Sequence, residues 1–494
     1  MFDLPDDLKG VHIHFVGIKG TGMAALVEIL FNAGAVISGS DVSERFYTDE
    51  ILEKLGIQPK TFSEKNITNQ IQFVIYSSAY KLDQNPDLIE AQKQKIPCIL
   101  YTQALGLYSK KSYSCGICGV HGKTSTTGLT GTILKELDLP SQVLAGSVIN
   151  SFGSSCTYTS PLISESKNRI FVAETCEYQK HFMSFFPKKI ILTSVESDHQ
   201  DFYPTYNDIR DAFVEYVLKL PQNGDLIFCA DDKGAVEVSN IVKNQRKDIN
   251  FIEYGFNATG DFKIQKNEVK NEKNIFKIAL FDEPFELLVP GHHEVLDACA
   301  AVALVSRLLL ENNENPKENF SKIKKGLSSF TGGKRRSEVV GHLKINGNDV
   351  LVIDDYGHHP TAIKTTLSGY REFYKNRKII VDFMSHTYSR TMSLLKEFAS
   401  SFTDADEVIL HKIYSSAREN PKDFNITGKT LYEEVLKSGF KKEAVHYFEE
   451  ILSAKDFVVQ KLSESLPPEY SDGYLFVTMG AGDNWKLGKS LFEK

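Results

Sequence analysis

Three features are scarce in this 494-residue sequence: long apolar runs, an excess of one charge, and paired cysteines. No apolar stretch reaches the roughly 20 residues that a membrane helix requires, and the acidic first segment, Met1–Asp7, lacks the apolar core of a signal peptide. The net charge is −7, without a long run of either sign, so the basic surface typical of nucleic-acid-binding proteins is missing. We therefore expect a cytoplasmic protein that binds neither membranes nor nucleic acids.

The seven cysteines are odd in number and scattered, which argues against a disulfide framework. Cys115 and Cys118 have the C-x-x-C spacing of some redox and zinc sites, and that alternative stays open. No second cysteine pair accompanies them, however, and Cys118 leads directly into a glycine-rich loop. Reduced thiols are the favoured interpretation.

Length and pattern predict three α/β domains. At roughly 150 residues per domain, the 494 residues correspond to about three domains. Short apolar runs such as Val11–Val16 and Ile170–Ala173 alternate with helical patterns, which is typical of parallel β-α-β units. We expect a mostly parallel sheet in each domain: a Rossmann-like domain at residues 1–110, a phosphate-loop domain at 111–330 and a second Rossmann-like domain at 331–494.

Further strands are predicted at Ala35–Ser38, Phe73–Tyr76, Cys98–Leu100, Ile190–Thr193, Asp225–Cys229, Val350–Ile353, Ile379–Val381, Glu407–Leu410 and Tyr474–Val477. The segment Tyr254–Val289 is rich in Asn and Lys and alternates apolar with polar residues, so it predicts a small antiparallel excursion. A helix is predicted over about Val295–Glu311. The turn Thr331-Gly332-Gly333 marks a hinge between the second and third domains.

A phosphate-binding loop is the clearest chemical signal. It follows a strand, opens a helix that runs to about Leu137, and consists of Gly119-Val120-His121-Gly122-Lys123-Thr124-Ser125. Backbone N–H groups and the helix dipole of such a loop bind phosphate anions, while Lys123 reaches the outer phosphates and Thr124 holds a divalent cation. The loop is a shortened variant, because Ile117 stands where the longer pattern has glycine.

Nucleotide hydrolysis needs a metal as well as a phosphate cradle. Glu174 ends a strand of the same domain and His199 follows the next one, so both are expected at the edge of the sheet where ligands bind in α/β folds. They are the best metal-ligand candidates beside Thr124. The alternatives are a surface carboxylate for Glu174 and a helix-capping neighbour of Asp198 for His199.

The N-terminal segment has a second glycine-rich turn. Gly20, Gly22 and Ala25 form G-x-G-x-x-A after the first strand, and Asp41 follows about 20 residues later, which satisfies the dinucleotide fingerprint. The pattern places a diphosphate at a helix N-terminus and an acid opposite a ribose. A UDP-sugar presents the same groups as NAD, so the pattern alone does not separate them. The second nucleotide loop downstream favours a ligase over a dehydrogenase.

Taken together, these residues resemble the Mur ligases over essentially the whole chain, and among them the members that act on UDP-N-acetylmuramate. The resemblance rests on ordered motifs: Phe15–Met23, Gly39-Ser40-Asp41, Ser77-Ser78-Ala79, Gly119–Thr127, Glu174–Tyr178, Asp198-His199, Pro290–His293, Lys334-Arg335-Arg336, Asp354–Pro360, His386–Thr391, Ser416–Glu419 and Met479–Asp483.

The resemblance implies a UDP-binding domain, an ATPase domain and a third domain that closes over the site. It implies ATP and Mg²⁺ or Mn²⁺ as cofactors, and UDP-N-acetylmuramate and L-alanine as substrates in the synthesis of peptidoglycan precursors. ATP would phosphorylate the lactyl carboxylate, and the amine of L-alanine would attack the resulting acyl phosphate. A monomer or weak homodimer is expected.

The resemblance also implies roles for individual residues. Catalysis is assigned to Lys123, Glu174, His199, His358 and Arg390, with Thr124, Glu174 and His199 as metal ligands. ATP would contact residues 119–125 together with His293, Glu294, Arg335 and Asp355. The substrates would contact Gly17, Gly20, Thr21, Gly22, Met23, Ser40, Asp41, Ser77, Ser78, Tyr356, His358, His386 and Arg390. For His358 a purely structural turn, and for Arg390 a surface salt bridge, are the alternatives.

One departure from the family pattern concerns adenine. Relatives usually carry Asn where this chain has Glu294, and another Asn where it has Asp297. An amide both donates to N7 and accepts from the N6 amino group of adenine, whereas an ionised carboxylate only accepts. Adenine recognition is therefore expected to be weaker or rearranged.

Other functions remain as alternatives. A sister ligase that attaches a recycled peptide to the same sugar nucleotide is the nearest, although the segment His386–Thr391 favours the alanine enzyme. A folate or polyglutamate ligase would lack the UDP domain. An NAD-dependent oxidoreductase would leave Lys123 unexplained, and a non-catalytic nucleotide sensor would need neither Glu174 nor His199.

Overall fold

A computed structural model describes residues 3–164, 169–415 and 419–493. Within these ranges the chain forms three α/β domains, each built on a mostly parallel sheet, as the alternation of strands and helices predicts. The motif residues Ser416, Ala417 and Arg418 lie outside the described residues. No helix in the described ranges is both long enough and apolar enough to cross a bilayer.

The first domain has a four-stranded parallel sheet in the order β2-β1-β3-β4. Its strands are β1 His12–Val16, β2 Val36–Ser40, β3 Phe73–Tyr76 and β4 Cys98–Leu100, and its helices are α1 Thr21–Asn32, α2 Asp49–Lys54, α3 Pro86–Lys93 and α4 Tyr101–Ser109. Helix α1 begins directly after the glycine turn, so its N-terminus lies at the carboxyl end of β1. This is the arrangement that binds a diphosphate.

The central domain has ten strands in the order β14-β13-β12-β11-β10-β9-β5-β8-β6-β7. They are β5 Tyr113–Cys118, β6 Ser141–Ile149, β7 Ser155–Thr159, β8 Ile170–Glu174, β9 Lys189–Leu192, β10 Asp225–Cys229, β11 Asn250–Gly255, β12 Phe262–Val269, β13 Asn274–Ile278 and β14 Phe285–Leu287. The helices are α5 Lys123–Glu136, α6 Tyr206–Val217, α7 Lys233–Gln245, α8 His292–Glu311 and α9 Phe320–Ser328. Cys115 and Cys118 are buried in β5, where they serve as core residues.

The antiparallel excursion is present, because β12, β13 and β14 pair antiparallel. It is continuous with the main sheet, however, through a parallel pairing of β11 with β12. Helix α8 begins at His292, earlier than the expected Val295, so His293 and Glu294 belong to its first turn. The strand pair β6 and β7 at the other edge of the sheet was not predicted.

The third domain has six strands in the order β15-β16-β20-β17-β18-β19, with only β15 antiparallel to its neighbour. They are β15 Glu338–Ile345, β16 Asn348–Asp355, β17 Arg377–Phe383, β18 Glu407–Leu410, β19 Val445–Tyr447 and β20 Gly473–Met479. The helices are α10 Pro360–Phe373, α11 Tyr388–Ser393, α12 Leu395–Ala399, α13 Gly428–Lys437, α14 Lys455–Leu462 and α15 Trp485–Ser490.

The first and central domains share an apolar core, whereas the third domain has cores of its own. One continuous core joins the first and central domains, where α1 packs against β6 and β7. The third domain has separate cores on the two faces of its sheet. Its contacts with the central domain include polar side chains around a shared cavity, as described below. A polar interface of this kind suits a domain that opens and closes.

Candidate active site

A cavity of about 1020 Å³ lies between the central and third domains. The central domain lines it with the phosphate loop, the ends of β8 and β9 and the first turn of α8. The third domain lines it with the segments that follow β16 and β17. Because parallel strands end at this edge in both domains, polar loop residues from two sheets face one another across the cavity.

The phosphate loop connects β5 to α5 in the predicted register. Its two glycines have φ of +139° at Gly119 and +80° at Gly122, a region that side-chain-bearing residues rarely adopt. A Cβ added at Gly122 would lie 2.4 Å from Oδ1 of Asp297, so a side chain there would also have to displace the Asp297 carboxyl. Lys123 donates to the carbonyl of Gly119 and, at 3.3 Å, to that of Val120.

Lys123 forms a buried ion pair with Glu177, at 2.9 Å from Nζ to Oε2. Burial by itself would lower the pKa of Lys123, but the carboxylates of Glu177 and Glu174 outweigh burial and raise it. Burial correspondingly raises the pKa of Glu177, yet Lys123 and a hydrogen bond from His199 bring it below its ordinary value. Lys123 is therefore a cation held at the loop, and His199 lies 3.4 Å from the same carboxylate.

Thr124 and Glu174 form an oxygen-rich pair next to Lys123. The Thr124 hydroxyl donates to Oε2 of Glu174 at 2.8 Å, and the backbone N–H of Gly146 donates to the same oxygen at 2.7 Å. A hydroxyl and a carboxylate at a phosphate loop are the ligand types that Mg²⁺ prefers, so these two residues fit the expected cation. His199 lines the same cavity in a left-handed conformation, with φ of +54°.

An ion pair links the central domain to the third domain across the cavity. Arg390 donates from Nη2 to Oδ1 of Asp198 at 2.7 Å, and both side chains are buried. Burial raises the pKa of Asp198, but Arg390 and then His199 lower it far below its usual range. The pair therefore stays ionised at neutral pH and holds Arg390 at the site.

His358 lies beside this ion pair. Its Nδ1 is 3.0 Å from the carbonyl of Tyr356 and so donates to it, which leaves Nε2 of the neutral ring as an acceptor. Burial first, and then the positive charge of Arg390, lower the pKa of His358 well below its ordinary value. The ring is consequently a neutral base in the wall of the cavity. His386 is a near neighbour, with ring centroids 6.4 Å apart.

Profiles of three domains of one family match this chain in order. They are described as "Mur ligase family, catalytic domain", "Mur ligase middle domain" and "Mur ligase, glutamate ligase domain", and they match residues 12–113, 117–305 and 335–482. A UDP-N-acetylmuramate–L-alanine ligase from Treponema pallidum is 45% identical over 99% of this chain and 98% of its own length. The chain belongs to the Mur ligase family.

Two solved structures support the fold. A UDP-N-acetylmuramate–alanine ligase from Thermotoga maritima superposes with a TM-score of 0.73 at 23% identity, covering 98% of both chains. A murein peptide ligase from Psychrobacter arcticus reaches a TM-score of 0.62 at 21% identity, again over 98% of both chains. The three-domain architecture is thus that of Mur ligases.

Most of the residues expected around ATP in this Mur ligase do line the large cavity. They are Val120, His121, Gly122, Lys123, Thr124, Ser125, His293, Glu294 and Asp355, and the expected substrate residues Tyr356, His358, His386 and Arg390 line it too. The structure places Arg335 differently. Its guanidinium donates to Asp354 and to the carbonyls of Gly480 and Gly482, and the neighbouring Arg336 lines the cavity instead.

Glu294 also differs from the expectation, which treated it as an ionised carboxylate. It is buried at the start of α8, where Ser125 donates to it at 2.8 Å. Burial raises the pKa of Glu294, as does the negative charge of Asp355. The protonated form is therefore favoured over the ionised form at a pH where an ordinary carboxyl is ionised.

The N-terminal glycine turn forms a second, smaller cavity of about 150 Å³. Six of the expected substrate residues line it: Gly20, Thr21, Gly22, Met23, Ser77 and Ser78. Gly17, Ser40 and Asp41 are not among the residues that line it. The N–H of Gly17 donates to the Ser40 carbonyl at 2.9 Å, and Asp41 accepts from the N–H of Lys19 at 2.7 Å. Asp41 thus shapes the turn, and its position opposite a ribose stays a prediction.

Sequence reasoning missed a second contact between the domains. Glu196 is hydrogen-bonded to Nε2 of His121 in the phosphate loop, and it accepts from the hydroxyl of Thr361 at 3.0 Å. His359 of the third domain lies 3.7 Å from the same carboxylate. Glu196 therefore connects the phosphate loop of this Mur ligase to α10 of the third domain. The only sequence feature that could have indicated this contact is the position of Glu196 two residues before Asp198.

Proposed function

We propose that the protein joins L-alanine to the lactyl carboxylate of UDP-N-acetylmuramate while ATP is converted to ADP and phosphate. The observation that carries this proposal is the single cavity in which Lys123, Thr124 and Glu174 of the central domain face His358 and Arg390 of the third domain. The name of the Treponema relative, which is similar over the full length of the chain, supports the choice of substrates. The reaction belongs to peptidoglycan precursor synthesis.

In the first step a lactyl carboxylate oxygen attacks the γ-phosphorus of ATP. A new P–O bond forms, the bond to the bridging oxygen of the β-phosphate breaks, and ADP leaves. Lys123 is suited to this step because it is a fixed cation at the loop, and negative charge accumulates between the two anions. Mg²⁺ or Mn²⁺, bound by Thr124 and Glu174 with His199 nearby, would neutralise charge on the phosphates.

In the second step the amine of L-alanine attacks the acyl carbon, and phosphate leaves as the amide bond forms. The amine must lose a proton on the way. Nε2 of His358 is an acceptor in the neutral ring and lies in the cavity wall, so we assign proton removal to it. Arg390, held by Asp198, lines the same cavity and would face the reacting carboxyl group.

The UDP part is assigned to the smaller cavity of the first domain. The N-terminus of α1 and the Gly20–Met23 turn supply N–H groups for a diphosphate, and Ser77 and Ser78 add hydroxyls. Gly17, Ser40 and Asp41 would hold the turn in shape. We further propose that the enzyme is a monomer or weak homodimer and that it acts in the cytoplasm; the location is supported by seven cysteines that form no disulfide in the described chain.

The decisive experiment measures phosphate release with ATP, UDP-N-acetylmuramate and an amino acid, each omitted in turn. Release is expected only when all three are present, and fastest with L-alanine. Lys123→Ala is expected to abolish release while the affinity for UDP-N-acetylmuramate, measured by calorimetry, stays within about twofold of wild type. Lys135→Ala, an exposed lysine at the other end of α5, is the matched control and should keep full activity.

The same assay separates the alternatives. Release that requires a peptide in place of L-alanine would indicate the recycling ligase, which the similarity to the alanine ligases does not favour. Release that does not depend on any amino acid would contradict the proposal. So would equal loss of phosphate release and of UDP-N-acetylmuramate binding in Lys123→Ala, because the two nucleotides are assigned to separate cavities.

A further inference from the structure

Three side chains of metal-binding type meet where the phosphate loop faces the third domain. They are His121 in the loop, Glu196 after β9 and His359 directly before α10. One ring nitrogen of each histidine and one carboxylate oxygen lie within 4.8 Å of one another. None of the three residues is assigned to the Mg²⁺ site of the phosphate loop. They therefore form a second candidate for a metal site.

The ring of His359 is buried but has no strong partner. Only 5% of the residue is exposed, and its Nε2 has no hydrogen-bond partner in the described chain. Its Nδ1 accepts from the N–H of Thr361 at 3.4 Å, which is longer than an ordinary hydrogen bond. A buried polar ring with such weak contacts points to a ligand.

The lone pair of that ring faces a carboxylate oxygen. Because Nδ1 of His359 accepts from Thr361, it carries a lone pair, and it lies 3.7 Å from Oε1 of Glu196. Two electron-rich atoms thus face each other without a hydrogen atom between them, and such atoms repel. A cation bound to both atoms would replace this repulsion with attraction.

Glu196 is the centre of the group. Its Oε1 is hydrogen-bonded to Nε2 of His121 and faces His359, while its Oε2 accepts from the hydroxyl of Thr361 at 3.0 Å. Within the described ranges, no lysine or arginine lies within ion-pair distance of this carboxylate. Its counter-charge therefore has to come from the histidines or from a bound cation.

Two imidazoles and one carboxylate favour Zn²⁺ over Mg²⁺. Imidazole nitrogen suits Zn²⁺, whereas Mg²⁺ prefers oxygen ligands in octahedral geometry. Zn²⁺ in a tetrahedral site lies about 2.0–2.2 Å from such ligands, which keeps the ligand atoms about 3.3–3.5 Å apart. The three atoms already lie within 4.8 Å of one another, so shifts of about 1–2 Å complete the geometry. All three residues line the large cavity, from which a water molecule can fill the fourth position.

We propose that His121, Glu196 and His359 bind one Zn²⁺ ion, which joins the phosphate loop to the third domain. This inference goes beyond the proposed function and does not rest on it, because the ion needs neither a nucleotide nor a sugar substrate. Two of the ligands belong to the central domain and one belongs to the third. The ion therefore binds more tightly when the domains are together, and in turn it stabilises that arrangement.

The test measures the dissociation constant of Zn²⁺ by competition with a chromophoric chelator, without nucleotide and with excess Mg²⁺ to occupy the phosphate-loop site. One Zn²⁺ ion per chain is expected to bind. Glu196→Gln and His359→Gln should each weaken binding by about 10- to 100-fold or more, because each removes a ligand. The matched control is His342→Gln, which removes the histidine of an exposed pair with Asp349 at 4.0 Å and should bind Zn²⁺ like wild type.

A second readout tests the connection between the domains. Single-molecule energy transfer between dyes on the central and third domains should show a larger closed population after Zn²⁺ is added. The increase should be absent in His359→Gln, because this variant loses the ligand that the third domain supplies. It should persist in His342→Gln, whose metal ligands are intact.

Zn²⁺ binding that is unchanged in Glu196→Gln and His359→Gln but lost in Glu174→Gln would place the ion at the phosphate-loop site and overturn the proposal. A wild-type protein that binds no Zn²⁺ would overturn it as well. A distance distribution that Zn²⁺ does not change would show that the ion does not join the domains. If a variant does not fold, the visible spectrum of Co²⁺-loaded wild-type protein decides. Strong bands of a tetrahedral ion are expected, and the weak bands of an octahedral oxygen site alone would contradict the proposal.

Discussion

The ion pair between Asp198 and Arg390 is expected to control closure of the third domain. Asp198→Asn removes the negative charge but keeps the shape of the side chain. The lost contact is a charge-assisted hydrogen bond of 2.7 Å between buried groups, and such bonds contribute about 1.5–3 kcal/mol. At about 1.4 kcal/mol per factor of ten, the closed-to-open ratio should fall by roughly tenfold to a hundredfold. The contact of Glu196 with Thr361 remains, so we expect the fall in the closed-to-open ratio to be nearer tenfold than a hundredfold.

Closure is measured by single-molecule energy transfer between dyes on the central and third domains, without nucleotide. The matched control is Asp406→Asn, which breaks another 2.7 Å ion pair, with Arg371, inside the third domain. It should lower the stability of that domain without changing the distance distribution. Because Arg390 holds the pKa of Asp198 far below its usual range, the contribution is present throughout neutral pH and is lost only in strong acid.

Two results would refute this reasoning. A distance distribution of Asp198→Asn equal to that of wild type would show that the ion pair does not hold the domains together. An equal shift in Asp406→Asn would show that the change reflects general destabilisation. A third readout is the KM for L-alanine, which should rise with the open population because His358 and Arg390 belong to the moving domain.

Other predictions concern the proton acceptor and the metal ligand in the cavity. His358→Gln should lower kcat by about 10²–10⁴ with unchanged affinity for both nucleotides, and a loss of less than threefold would contradict the proton-acceptor role. Since the pKa of His358 lies well below 6.5, the wild-type kcat should not fall as the pH is lowered through 6.5. A fall of kcat near that pH in steady-state measurements would argue against a neutral base. Glu174→Gln should raise the Mg²⁺ concentration for half-maximal phosphate release by about 10- to 100-fold, whereas Glu215→Gln, an acid exposed on α6, should not.

Several elements followed from local sequence because their signals are local. The strands Phe73–Tyr76, Cys98–Leu100, Asp225–Cys229 and Glu407–Leu410 have the predicted bounds. Each is a short run rich in apolar and β-branched residues, a composition typical of strands that are buried on both faces. The phosphate loop is equally local, since its backbone conformation and the start of its helix depend on adjacent residues.

Other strands were invisible for a physical reason. β6 and β7 contain serine, threonine and glutamine, and β15 is half exposed, so none has the apolar pattern of a core strand. Their membership in a sheet depends on hydrogen bonds to a neighbour far along the chain, such as the pairing of β6 with β8. The β-propensity of the residues therefore predicts poorly whether such a segment joins a sheet.

The sequence by itself determined the alternation of strands and helices, the two glycine turns, and the residues Lys123, Thr124 and Glu174 that make a phosphate and cation site. Only the tertiary structure decided which distant groups meet: Glu177 with Lys123, Glu196 with the third domain, and Arg336 in place of Arg335. It also decided that the pKa of Glu294 is raised and that of His358 is lowered, because burial and neighbouring charges set a pKa, and neither is written in the order of residues.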